Sequence, residues 1–367
     1  MIIFFSKLLI ALLFTSLGTT FFQDKTDEAV ALDAVVQEFY EDDRFNGVVL
    51  LAKENNIVYS GAYGMANFEW QIPQTIDSRF RIASITKTFT ATLVLKLIEE
   101  RKMCFGDLIT DHLPDYPPET GNRITIEHLL VQSAGIPDYI SLPGFLEKDA
   151  YLSHDVNTFP ECFKNLDLNF EPGTDWDYGN SEYYLLGLII EQVTGMSYQE
   201  AMQTYILDPI NLLQTGFVSP GAVIPKYANG YVRGDNGIET APAIHPSVCF
   251  SAGMMYSSAL DMQRFVHALY KEKSILGEEM LGIMTTQRMA DYGYGVFVGY
   301  QTIQGERHTT YLHMGEIHGY TAQVSYFPDN EYTVIILDNT QQCASRLYFA
   351  IMDILPGFSS PEHAENY

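Results

Sequence analysis

The chain has 367 residues and a formal net charge of −25, from 46 acidic against 21 basic residues, and 47% of it is hydrophobic. That length and apolar share suffice for one large domain or two intimate ones with a real core. The acidic balance argues against nucleic acid and anionic membrane surfaces as partners.

Residues 1–22, MIIFFSKLLIALLFTSLGTTFF, hold one early lysine, an apolar run of about ten residues and then small residues, the layout of a secretory signal peptide. The run after Lys7 is short for the roughly twenty residues that a membrane span needs. Cleavage is therefore expected, and with it an exported protein, periplasmic or secreted. Its only membrane contact would be this segment if it stayed uncleaved. The four cysteines, Cys104, Cys162, Cys249 and Cys343, lie far apart with no CxxC pair, so neither a metal nor any other cofactor is expected. In an exported chain they allow three disulfide connectivities, and the sequence selects none.

Next, FNGVVLLAKENNIVYSGAYGMAN reads as strand, turn, strand, with Val48 to Ala52 apolar and Asn55-Asn56 at the turn. In SITKTFTATLVLKLIEE the residues Ile85, Phe89, Leu93 and Leu97 recur every fourth position and predict a helix of about four turns. Helices separated by Pro/Gly loops continue to about residue 245. Among them SEYYLLGLIIEQVTG has Asn180 or Ser181 as N-cap and Gly195 as its stop. Past residue 290 two hairpins are predicted, YGVFVGYQTI with RHTTYLHMG and YTAQVSYF with EYTVIILDN, before a last helix, CASRLYFAIMDIL. Strands at both ends and helices between them predict an α/β domain from residues 30–82 and 246–360, with 83–245 as a mainly helical insertion.

Three short stretches carry the chemistry. Ser84 is the only serine with a lysine three residues downstream, Lys87, so the two share a helix face at a helix start. A neutral amine there could accept the serine proton, and the serine N–H could join an oxyanion hole. Both residue types also suit an ordinary first helical turn, and the spacing alone does not decide. Tyr178-Gly179-Asn180 lies in a loop before a helix, where a tyrosine near a lysine can shuttle a proton and an asparagine offers donor and acceptor. Equally, YGN alone reads as a turn into an N-cap. His313-Met314-Gly315 precedes an alternating strand, where a glycine lets a ligand approach the backbone and the Glu316 N–H could serve as a second oxyanion donor.

SITK, YGN and HMG, in this order and at these separations, resemble the SxxK, YxN and KTG/HxG elements of serine β-lactamases and penicillin-binding proteins. The likeness is greatest to the class C β-lactamase-like branch, with its D-aminopeptidases, D,D-carboxypeptidases and esterases. ITIEHLLVQSAGIPDY, FEPGTDWDYGN and SAGMMYSSALDMQRF are similar to family blocks in the family order, so the resemblance covers about residues 35–340. It implies a β-lactamase/transpeptidase-like α/β (α+β) fold, an antiparallel sheet flanked by helices with an inserted helical domain, and Ser84 in the cleft between. It further implies Ser84 as nucleophile, Lys87 and Tyr178 as the proton-transfer pair, and Asn180 on the substrate amide. His313 and Gly315 would line the substrate site, and the N–H groups of Ser84 and Glu316 would form the oxyanion hole. The expected partner is a small-molecule or peptide substrate, a D-amino-acid peptide, peptidoglycan stem or ester. A β-lactamase, or a slowly deacylating penicillin-binding receptor, is the alternative. Met314 and Glu316 depart from the family pattern, bringing bulk without a hydroxyl and an acid beside the carboxylate site, and both weigh against β-lactam hydrolysis. His128 and Asp138 read as structural.

Overall fold

The computed structural model describes residues 27–235, 237–303, 306–342 and 344–355. Residues 1–22, expected to form a signal segment, and Cys343 lie outside the described residues; Cys104, Cys162 and Cys249 are free thiols. The elements that position the site are α1 (Asp27–Glu41), β1 (Gly47–Lys53), β2 (Asn56–Tyr63), α2 (Thr86–Glu99), α3 (Ser181–Thr194), α4 (Pro246–Gly253), β3 (Phe297–Ile303), β4 (Glu306–Ile317), β5 (Tyr320–Phe327), β6 (Tyr332–Asp338) and α5 (Ala344–Ile354).

One antiparallel sheet runs in the order β3-β4-β5-β6-β1-β2, so strands from the two ends of the chain meet at β6 and β1. The burial of β1 explains why its sequence is continuously apolar. Val48, Leu50 and Ala52 pack into the large core shared with the helices, while Val49 and Leu51 pack into a second core beneath α1 and α5. A strand with both faces covered has no polar side to alternate with. The expected hairpins are present, and the turn at Gly319 (φ +85°) joins them into a four-strand meander.

Helix α3 begins and ends where the sequence indicates, with Gly195 in the left-handed conformation (φ +68°) closing it. Ahead of α2, a 3₁₀ turn over Ala83–Ile85 carries Ser84. That turn follows a short strand, Phe80–Arg81, paired with Met255–Ser257 just beyond α4. The nucleophile candidate is thereby fixed to α4 through backbone pairing rather than through side chains alone.

Candidate active site

Lys87 is fully buried, and its ammonium meets three acceptors: Ser84 Oγ at 3.1 Å, Asn180 Oδ1 at 2.8 Å and the Ala252 carbonyl at 3.3 Å. Three donors with three acceptors leave the buried amine satisfied and its direction fixed. Each acceptor arrives from a different stretch of chain: the turn before α2, the loop before α3, and the end of α4. Tyr178 meets the same ammonium with its ring, Nζ lying 4.8 Å from the ring centroid. The ring in turn stands against Tyr292 and Phe297, each at 6.2 Å.

Two residues outside the expected set hold this arrangement. Asp138 accepts from the Asn180 backbone N–H at 3.0 Å and from Nδ2 at 3.3 Å. With its amide nitrogen tied to a carboxylate, Asn180 presents its oxygen to Lys87 and makes no side-chain cap to its own helix. Asp138 is structural, as the sequence suggested, but the part it holds is the site itself. Gln132, buried with φ +64°, clasps the peptide of Gly179 from both sides: Nε2 donates to the carbonyl at 3.1 Å and Oε1 accepts the N–H at 3.0 Å. His128 stays in a local cap, where its N–H donates to Thr125 Oγ1 at 3.2 Å.

Strand β4 supplies the opposite wall. It pairs with β3 only from Glu306 to Leu312, so from His313 onward its outer edge has no strand partner among the described residues and approaches the turn that carries Ser84. Gly315 is needed there, though what approaches its backbone closely is the chain itself. A Cβ at this position would stand 2.1 Å from the Ile82 carbonyl oxygen and 3.2 Å from Ala83 Cβ. Ala83, immediately before Ser84, has φ +44°, a conformation costing a non-glycine residue about 1–2 kcal/mol.

The structure revises the placing of His313. It is 2% exposed and packs against Tyr178, its ring 6.2 Å from the tyrosine ring and 5.6 Å from Phe297. Burial, then the Lys87 charge, push its pKa down to about 3, so it brings no positive charge to a substrate carboxylate. Successive strand residues face opposite ways, and Met314 accordingly points to the other side of β4, its sulfur 3.2 Å from Ser345 Oγ at the start of α5.

The open cleft beside Ser84, about 250 Å³, is bounded by Ile140, Phe145, Leu146, Ile244 and Val248, with Asn180, Glu316, His318 and Gln341 among its polar members. Beneath it, Glu182 is buried in the first turn of α3. Burial raises its carboxyl to about 8, with the Asp138 and Asp177 charges adding and Lys87 opposing. A carboxyl raised in the folded state contributes stability below its ordinary value of 4.5, lost as pH rises through about 8. Glu182→Gln should therefore melt at least about 3 °C above the parent at pH 9, with a smaller difference at pH 5. Thermal melts at the two pH values check this, and a difference that does not grow with pH would contradict it.

The fold and the Ser84–Lys87–Asn180 geometry define a serine hydrolase. A sequence profile of the family described as Beta-lactamase matches residues 32–350, and the chain belongs to that family. It is 28% identical over 337 residues to penicillin-binding protein 4* of Bacillus subtilis (strain 168), covering 87% of this chain and 73% of that protein. Its fold is similar to that of a penicillin binding protein from Bacillus halodurans, at 29% identity and a TM-score of 0.78, covering 87% of this chain and 98% of the other. A D-stereospecific amidohydrolase from Streptomyces sp. is similar at 25% identity and a TM-score of 0.74, covering 90% and 99%.

Proposed function

We propose that the protein is an exported hydrolase that forms an acyl-enzyme through Ser84 and cleaves esters, or amides and peptides of D-amino acids. The observation that carries this reading is the 3.1 Å contact between Ser84 Oγ and a buried Lys87 whose remaining partners, Asn180 and Ala252, fix it in place. In its unprotonated form Lys87 accepts the Ser84 proton as Oγ bonds to the substrate carbonyl carbon. The oxyanion is held by the N–H groups of Ser84 and Glu316. The bond to the leaving nitrogen or oxygen then breaks, the leaving atom takes a proton from the Lys87/Tyr178 pair, and water hydrolyses the acyl-enzyme. Of the two, Lys87 is the acylation base, because it alone lies within hydrogen-bond reach of Oγ. Export rests on the layout of residues 1–22.

β-Lactams are poor substrates in this reading. They carry a carboxylate, the cleft residues include no Lys or Arg, and Glu316 is acidic. Losing a charge-assisted hydrogen bond of about 1.5–3 kcal/mol lowers turnover by one to two orders of magnitude. The test is a panel of p-nitrophenyl esters, D-amino-acid amides, D-Ala-D-Ala peptides and nitrocefin, run beside fluorophosphonate labelling read by mass spectrometry. A Ser84 adduct with ester or amide turnover well above nitrocefin turnover supports the proposal. Efficient nitrocefin hydrolysis would overturn the substrate assignment. A stable penicillin adduct without turnover of any panel member would favour the receptor alternative.

A further inference from the structure

We infer that the cavity around Arg81, which adjoins the Ser84 cleft, is a binding site for an oxyanion, a carboxylate or phosphate group, with the Arg81 guanidinium as its counter-charge. The site itself stands independently of the acyl-enzyme reading above. Whether the anion arrives free or as part of a substrate rests on that reading.

Arg81 ends the short strand that leads into the Ser84 turn, and it is 4% exposed. A guanidinium this deeply buried is costly to desolvate and is ordinarily paired with an acid. Here Nη1 donates to the Ile244 carbonyl at 3.1 Å, Nη2 meets the Cys249 sulfur at 3.5 Å, and Nε has no partner among the described residues. Neither acceptor brings a negative charge. The first is a neutral carbonyl. The second is a thiol that burial raises above its ordinary pKa, against the opposing Arg81 charge, so it stays protonated. The Arg81 charge also acts on Tyr227, Tyr320 and His245, and none of these is a carboxylate. Among the described residues the cation is hydrogen-bonded but not neutralised.

A cavity of about 470 Å³ stands beside it, lined by Arg81 together with Tyr227, Asn229, His245, His318 and Tyr320, and no described Asp or Glu belongs to its lining. In a chain with 46 acidic residues against 21 basic ones, a wall with a fixed cation and no acid runs against the overall balance. His245 adds a donor. Its Nδ1 accepts the Ser247 N–H at 3.2 Å, so the neutral ring carries its proton on Nε2. Burial, then the His154 and Arg81 charges, lower its pKa and keep it neutral at pH 7. A fixed guanidinium with polar neighbours suits a carboxylate or phosphate, which it can meet through charge-assisted hydrogen bonds. Ile244 and His318 line this cavity and the Ser84 cleft alike. An acyl chain of several carbons on Ser84 could therefore carry an anionic end into it.

Calorimetry on the full-length Ser84→Ala protein, at constant ionic strength, tests the site without turnover, using acetate and inorganic phosphate against neutral acetamide. The anions should bind at least about tenfold more tightly than the amide, and Arg81→Met should erase that difference. A second arm uses the wild type with p-nitrophenyl monoesters of adipic and suberic acid against their methyl esters. A preference in kcat/KM of roughly tenfold for the free acids, lost in Arg81→Met, supports the site and identifies its anion as the substrate's own carboxylate. Free-anion binding without that preference supports the site and identifies a separate small anion. Should Arg81→Met fail to fold, the histidine ring signals of the wild type in NMR locate the bound acetate or phosphate. His245 and His318 should shift, whereas His112, which lines a different cavity, should not. The inference is overturned if the anions bind no better than acetamide and the ester series shows no preference for the acids. Equal binding to Arg81→Met, or a His112 shift as large as that of His245, overturns it too. Failure of fluorophosphonate to label Ser84 in the wild type would instead count against the acyl-enzyme reading, and the calorimetric arm would still decide the site.

Discussion

Replacing Lys87 by methionine should lower acylation by at least about a hundredfold, the usual scale of a positioned proton-transfer group, while the protein stays folded. The two halves of this expectation have separate causes. Catalysis fails because, among the described residues, Lys87 is the side chain hydrogen-bonded to Ser84 Oγ and placed to take its proton. The fold survives because a buried ammonium is expensive to keep dry, and an apolar side chain of similar length removes that cost. Against this, Asn180 Oδ1 and the Ala252 carbonyl each lose a donor, at about 1–3 kcal/mol apiece. The melting temperature should therefore move only a few degrees in either direction. Ser84→Ala should abolish both labelling and turnover, and the double variant should be no worse than Ser84→Ala alone, because the residues act as one unit. Near-normal activity in Lys87→Met would refute the assignment.

Gly315→Ala should be nearly as damaging to activity, for a reason of geometry rather than chemistry. The added methyl would begin 2.1 Å from the Ile82 carbonyl oxygen and 3.0 Å from its carbon, both backbone atoms that cannot swing aside as a side chain can. Either β4 or the Ser84 turn must move by about an ångström, enough to cost on the order of a hundredfold in rate. Overpacking of this kind also costs about 1–3 kcal/mol of stability, or a few degrees in melting temperature. Gly282→Ala is the control, since a Cβ there meets open space. Wild-type turnover in Gly315→Ala would show that the approach of β4 to residues 82–83 is not needed for catalysis.

Local pattern carried much of the fold. The four-residue spacing in α2, the Gly195 stop of α3 and the alternating residues of the hairpins each depend on neighbours a few positions away. The family blocks supplied the remainder of the architecture and the Ser84, Lys87, Tyr178 and Asn180 set. What escaped was whatever depends on contact across the fold. Asp138 meets Asn180 from 42 residues away, and Gln132 reaches Gly179 from 47. Nothing in HLLVQSAGIPDY marks a glutamine with a left-handed backbone. The positions of His313 and Met314 were partly within reach. Two adjacent residues on one strand must face opposite ways, so both could not occupy the same wall. Which of them would be buried against Tyr178 depended on where β3 ends, and sequence reasoning fixes element ends least well.

The seam between β1 and β6 has a consequence for how the chain can be assembled. Gly47 to Lys53 align with Asp338 to Tyr332, and the Asn46 side chain donates to Asn339 across 293 positions. During synthesis the β1–β2 hairpin emerges early, but the strand that completes it emerges nearly last. Until residues 332–338 are made, one edge of β1 stays unpaired, open to any other extended segment it encounters. The large sequence separation also makes closure slow once the chain is complete. A nascent chain of this topology therefore spends its synthesis unable to lock shut, and a chain broken off before β6 would present that open edge permanently, as a template for association with its own copies.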